Sequence, residues 1–170
     1  IRGRKMKIGV VMGGVSSERA ISLKSGEQVL KNLNKDKYEE VKPIIINSKK
    51  DILEKAKDID FAFLALHGRF GEDGTIQGAL ETMGIPYSGC GVLSSAICMN
   101  KSMTKQLAYS YGVKTAKWHT VRAINEINYE KIRSLGYPIF KKPNNGGSSV
   151  ATFLVKNEED VEEAVRQGLK

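Results

Sequence analysis

Two cysteines among 170 residues, Cys90 and Cys98, are too few for a disulfide framework. No run approaches the ~18 uninterrupted apolar residues that a membrane-spanning helix needs, which excludes a transmembrane protein. No apolar secretory segment precedes the first strand-like run, so a reducing cytoplasmic setting is the expectation. There is no internal repeat, and no basic stripe interleaved with aromatics. The formal charge of +8 drops by three when Arg2, Arg4 and Lys5 are set aside, because Ile1 to Lys5 (IRGRK) precede a Met and read as a cloning remnant. The other cations are scattered among acids, apart from Lys141 and Lys142. Nucleic-acid binding is therefore not expected, and an anionic small molecule fits the charge as well. What is present is a 41% hydrophobic composition, enough to bury a core.

The first half alternates strand and helix signals. Met6 to Met12 (MKIGVVM) is an apolar run closed by Gly13 and Gly14, and Ser16, Ser17 and Glu18 supply cap-type residues. Ala20, Ile21, Leu23, Val29, Leu30 and Leu33 recur at roughly helical spacing. Val41 to Asn47 reads as a strand and Asp51 to Lys57 as a helix. Phe61 to Leu66 (FAFLAL) reads as a strand buried on both faces, Thr75 to Met83 as a helix and Ile85 to Tyr87 as a short strand. Such alternation predicts an α/β fold with a parallel sheet.

After helical stretches at Leu93 to Met99 and Ser102 to Tyr111 the pattern changes. Strands are predicted at Trp118 to Val121, Tyr137 to Lys142 and Val150 to Val155, and helices at Tyr129 to Ser134 and Glu158 to Gln167. The last two strands flank the loop Pro143 to Ser149 (PNNGGSS) and suggest an antiparallel hairpin. A boundary near Asn100 divides a first domain, 6–99, from a second, 100–170. The ~70 residues after it make a thin core, which suggests a truncated chain.

Three segments could carry chemistry. GGVSSE, Gly13 to Glu18, ends the first strand; it is not G-x-G-x-x-G, and an acid occupies the turn where phosphate would bind. Glu18 could complement the helix dipole, or pair with a substrate ammonium at the carboxyl edge of the sheet. HGRFGEDGTIQG, His67 to Gly78, gathers His, Arg, Glu and Asp among glycines beside the most apolar strand. It reads as a ligand loop, with a solvated turn capped by Asp73 and Thr75, or a metal site, as alternatives. In YPIFKKPNNGGSSVA, Tyr137 to Ala151, a lysine beside a Gly-Gly-Ser-Ser loop suits nucleotide phosphates, although the P-loop spacing is absent and a plain hairpin turn fits too. Lys101, at a helix start, carries no weight alone.

Taken in order, GGVSSERAISLKSG, the stretch from Ala65 to Lys101 and KKPNNGGSSVA resemble the D-alanine:D-alanine ligase family, whose members have the ATP-grasp fold. The resemblance runs from Lys7 to Ala151. It implies a Rossmann-like parallel-sheet domain followed by an incomplete ATP-grasp nucleotide-binding domain. By the resemblance, Glu18 receives the ammonium of the first D-alanine, Ser148 hydrogen-bonds toward it, and His67 and Gly68 lie by the substrate. Lys101 and Lys142 would contact ATP phosphates, with Gly146, Gly147, Ser148 and Ser149 closing over the γ-phosphate. The implied reaction is ATP-dependent joining of two D-alanines through an acylphosphate, for peptidoglycan precursors.

The resemblance puts the magnesium ligands, an intermediate-steadying arginine and the adenine hinge beyond Lys170, with no metal site in this chain. The chain alone is thus expected to be inactive, and its first domain to dimerise. Three positions depart from the common pattern: Asn100 for Asp, Lys141 for an apolar residue, and Ala151 for Gly. Strand alternation turns Lys141 away from Lys142 and toward solvent, and a position needing φ > 0 would not accept Ala151 cheaply. Ligases joining D-alanine to D-lactate or D-serine, and a non-catalytic amino-acid-binding module, are the alternatives.

Overall fold

A computed structural model describes residues 5–147 and 151–169. The chain forms two compact units, Ile1–Cys98 and Met99–Lys170.

In the first unit, strands β1 (Lys7–Gly13), β2 (Glu40–Ile46) and β3 (Phe61–Leu64) form a parallel sheet of order β2-β1-β3. Ile8 of β1 stands opposite Val41 on one side and Phe61 on the other. Helices α1 (Arg19–Asn32) and α2 (Asp51–Lys55) connect the strands, and α3 (Thr75–Thr82) and α4 (Val92–Met99) follow. Successive β1 side chains enter different cores, as the two-residue period of a strand requires. Val11 packs with Ile52, Ile76 and Leu80, while Val10 and Met12 pack with Leu23, Val29 and Leu30 of α1. Both faces of the sheet are thus covered, the α/β architecture expected from the alternating pattern.

Helix α1 lies close to β1 because Gly26 leaves room for the Met12 side chain, which a Cβ there would strike. Ser22, fully buried, accepts a hydrogen bond from the Gly13 amide (2.9 Å) and donates one to the Ala65 carbonyl (2.7 Å). One hydroxyl therefore ties α1 to the ends of β1 and β3.

The expected strand at Ile85 to Tyr87 shrinks to a bridge between Ala62 and Tyr87. Its register is kept by hydrogen bonds from the Ala62 amide to the Pro86 carbonyl and from the Ser88 amide to the Ala62 carbonyl. The Leu64 amide then donates to the Ser88 hydroxyl instead of to a backbone carbonyl, which stops the ladder.

The second unit contains α5 (Lys101–Ser110), α6 (Tyr129–Arg133), β4 (Ile139–Lys141), β5 (Phe153–Val155) and α7 (Val161–Gly168). Strands β4 and β5 pair antiparallel, with Phe140 opposite Leu154, as the hairpin reading requires. Their core is Ile132, Val155, Val161, Ala164 and Val165. Trp118 to Val121 forms no strand: β4 and β5 pair with each other, and neither pairs with this segment. Helix α7 starts later than expected: Asn157 accepts from the Asp160 amide, which makes the preceding residues a turn.

Lys141, the last residue of β4, and Lys142 after it do differ in burial, but the inward one is Lys141. Its ammonium lies 5.2 Å from the Phe153 ring centre, and the resulting loss of hydration holds its pKa below the usual lysine range. Lys142 is the exposed one. Alternation fixes that neighbours differ, and the core decides which of them is inside.

Ala151 takes φ +54°, a left-handed conformation that strains any residue with a Cβ. Ala151→Gly relieves about 1 to 2 kcal/mol of that strain and returns part of it as unfolded-state entropy. The net expected gain is about 0.5 to 1 kcal/mol, read as a higher urea midpoint followed by Trp118 fluorescence.

Candidate active site

Candidate residues occur in both units, and each set has its own surroundings. In the first unit, parallel strands in the order β2-β1-β3 bring the carboxyl ends of β1 and β3 side by side. The segments that leave those ends, Gly13 to Glu18 and His67 to Gly78, therefore meet although some fifty positions separate Glu18 from His67. Ligands of open α/β sheets bind at this edge.

Glu18 occupies the N-cap position of α1, yet its side chain makes no capping hydrogen bond. The carboxylate reaches over Gly68 instead: a Cβ on Gly68 would stand 2.5 Å from Glu18 Oε2 and 3.2 Å from Ser16 Oγ. Gly68 has φ +73°, so both conformation and close approach call for glycine. Ser16 joins the two segments. Its hydroxyl accepts from the Glu18 amide (3.2 Å) and donates to the His67 carbonyl (2.7 Å). The His67 ring meets Ser25 of α1, with Nε2 and Oγ 3.1 Å apart.

Much of the loop after His67 is occupied with its own folding. Glu72 accepts from the Gly68 amide at 2.7 Å, and Asp73 from the amides of Phe70 (2.8 Å) and Thr75 (3.0 Å). The Asp73 carboxyl is held below the ordinary range although burial opposes this, because those amides and the Arg69 charge favour its ionised form. Gln77 donates to the Gly71 carbonyl at 2.9 Å. Phe70 has φ +73°, a strained conformation for a bulky residue, held by burial of its ring in the core. The capping role foreseen for Asp73 is present, and His67 and Glu18 are the groups gathered at the Gly68 turn.

Arg19 braces the turn at Gly13 and Gly14, which precedes Glu18. Its guanidinium donates to the carbonyls of Gly14 and Ile46 and to Asn47 Oδ1. Sequence marked Ser16 only as a cap-type residue and did not single out Arg19, Ser22 or Ser25. A faint signal existed, since Ser22 and Ser25 interrupt the apolar stripe of α1 three residues apart.

In the second unit, Lys101 opens α5 and its ammonium donates to the Gly146 carbonyl at 2.5 Å. Partial burial, and then the charge of Lys142, push the Lys101 ammonium below the usual lysine range. Two cations near one glycine loop are costly together unless an anion joins them. The α5 amides are not the anion receptor: those of Lys101 and Ser102 go to Asn144, and that of Met103 to Asn100 Oδ1. Asn100 therefore keeps a cap without an Asp charge. Gly147 follows Gly146 in the loop, whereas Ser148 and Ser149 lie outside the described residues. Among the described residues no group of three or more His, Cys, Asp or Glu could hold a metal ion. No helix among them is long and apolar enough to cross a membrane.

Two family models match the chain. The D-ala D-ala ligase N-terminus model matches residues 7–55 and 47–90, and the D-ala D-ala ligase C-terminus model matches 106–170. The chain belongs to the D-alanine:D-alanine ligase family. It is 61% identical to D-alanine:D-alanine ligase A of Clostridium perfringens over 97% of its own length and 54% of that relative. The D-alanine:D-alanine ligase of Bacillus anthracis complexed with ATP superposes with a TM-score of 0.88 at 46% identity, over 96% of this chain and 55% of that one. The VanG D-Ala:D-Ser ligase of Enterococcus faecalis gives 0.78 at 28%, over 97% of this chain and 60% of that one. The chain thus spans about half the length of these ligase-family members.

Gly68→Ala separates site geometry from stability. The added methyl meets the mobile end of Glu18, so folding loses only the backbone strain of about 1 to 2 kcal/mol. On the function proposed below, the displaced carboxylate is expected to weaken D-alanine binding by about tenfold or more, as a shift of 1.4 kcal/mol implies. Isothermal titration and thermal unfolding of the same sample read the two effects.

Proposed function

We propose that this chain supplies the amino half of an enzyme that joins two D-alanines at the expense of ATP, for peptidoglycan precursors. The observation that carries this reading is the Glu18 carboxylate laid over Gly68 beside His67, at the strand ends where small ligands bind. A carboxylate at a glycine turn is suited to an amino-acid ammonium. His67 and Gly68 would flank the bound D-alanine. Lys101 and Lys142, with the loop of Gly146, Gly147, Ser148 and Ser149, would neutralise the nucleotide phosphates, and Ser148 would also hydrogen-bond toward Glu18.

In the proposed sequence, a D-alanine carboxylate oxygen attacks the γ-phosphorus of ATP, forming an acylphosphate as ADP leaves. The amine of the second D-alanine then attacks that carbonyl, and inorganic phosphate departs with formation of the amide. Both steps depend mainly on positioning and charge neutralisation, for which a carboxylate, two ammonium groups and a backbone loop are adequate tools. Magnesium would accompany the nucleotide phosphates. The described residues do not form a site for it, and no step here is assigned to it. A domain boundary near Asn100, a cytoplasmic setting and dimerisation through the first domain belong to the same proposal.

The deciding experiment measures phosphate release from Mg-ATP by a protein of the relatives' full length, with D-alanine and with L-alanine, alongside the 170-residue chain. Release with the D isomer alone, with dipeptide formed and the short chain inactive, supports the proposal. A product only with D-lactate or D-serine as second substrate would change the acceptor. Amino-acid binding without nucleotide binding would leave a binding module.

A further inference from the structure

Helix α1 carries both groups that define the amino-acid end of the site. Glu18 stands at its N-cap, and Ser25, seven residues on, lies on the same helix face about 10 Å along the axis. Two serines of this segment hold His67 at different points. Ser16 Oγ donates to its carbonyl at 2.7 Å, and Ser25 Oγ lies 3.1 Å from its ring Nε2. The backbone is thus fixed by one hydroxyl, and the imidazole is left to the other. The direction of this bond goes with the tautomer: a hydroxyl that donates here needs Nε2 as its acceptor. An imidazole nitrogen that accepts carries no hydrogen, which puts the hydrogen of neutral His67 on Nδ1.

We propose that Ser25 is a positioning residue that holds His67 in the Nδ1–H tautomer, so that Nδ1 offers the hydrogen-bond donor to the bound amino acid. This rests on the substrate role given to His67 above, whereas the hydroxyl-to-imidazole coupling does not. Through α1 the same helix sets the separation between the ammonium-binding carboxylate and the donor. Ser25→Ala removes the hydroxyl without disturbing a good helix position and makes both tautomers accessible. Ser25→Thr keeps the hydroxyl.

The tautomer is read by nitrogen-15 and carbon-13 resonances of the imidazole in the labelled 170-residue chain. The chain has two histidines, and the signal of interest is the one that disappears in His67→Gln. The expected result is an Nδ1–H signature in the parent and in Ser25→Thr, replaced by a mixture in Ser25→Ala. An Nε2–H signature in the parent, or an unchanged signature in Ser25→Ala, overturns the proposal. In the full-length protein, Ser25→Ala is expected to raise KM for D-alanine about tenfold, with KM for ATP and the melting temperature unchanged. A change in melting temperature without a change in KM overturns the positioning role. If D-alanine is not ligated at all while the tautomer responds as expected, the ligase reading fails and the Ser25–His67 coupling stands.

Discussion

Glu18→Gln is expected to lower kcat/KM for D-alanine more than a hundredfold in a protein of the relatives' full length, with little change in melting temperature. The substitution keeps the size and hydrogen-bonding reach of the side chain and removes its charge. An ammonium bound against the resulting amide loses its ion pair while still losing its water. Losing one partner of a desolvated charge pair costs on the order of 3 kcal/mol, which sets the size of the effect. If Glu18 merely complemented the α1 dipole, the loss would be about 0.3 to 1 kcal/mol of stability and substrate kinetics would not change. The Glu18 side chain makes no bond to the α1 amides, so the second outcome has only the through-space dipole effect to draw on. Steady-state kinetics and thermal unfolding of the same variant distinguish the two. Glu18→Asp, which retains charge but withdraws it from Gly68, should fall between parent and Gln.

How far the sequence revealed this arrangement depended on whether a feature was local. Met6 to Met12 and Phe61 to Leu66 are apolar enough to demand burial on both faces, and alternation with α1 and α2 demands parallel pairing. Those two facts already place the carboxyl ends of β1 and β3 at one edge, and hence Glu18 near His67. The hairpin around the Gly-Gly loop was similarly readable from its turn residues, and Ala151, flagged for standing where the resemblance has Gly, does take a positive φ. Trp118 to Val121 was misread because a strand exists only with a partner, and no local pattern reports one. Lys141 was placed outward because parity distinguishes neighbours without saying which of them meets Phe153. The serine contacts were hard to read for a related reason: Ser16 looked only like a cap, Ser22 and Ser25 left a faint break in the apolar stripe of α1, and partners of all three come from the distant β3 end.

Ser22→Ala is expected to cost the first unit about 2 to 4 kcal/mol, the largest stability loss predicted for a single hydroxyl here, since each buried group left without a partner costs about 1 to 3. Ser22 has no exposed surface, so water has no open route to replace the missing oxygen. The change strands the Gly13 amide and removes a donor from the Ala65 carbonyl, at the points where β1 and β3 end. Alanine's helix propensity returns less than 1 kcal/mol of this. A loss of that size is a large share of the 5 to 15 kcal/mol that holds a typical domain. The only tryptophan, Trp118, belongs to the second unit and does not report the event. Amide exchange at Gly13, with urea unfolding followed by circular dichroism, does. A lower midpoint with unchanged slope would mean that the native first unit has lost stability while its unfolded state has not changed. A loss below 1 kcal/mol would mean that the α1–β1–β3 junction is held by the Gly26–Met12 packing and not by the hydroxyl. Gly26→Ala would then become the more damaging change, because its methyl enters the space of the Met12 side chain.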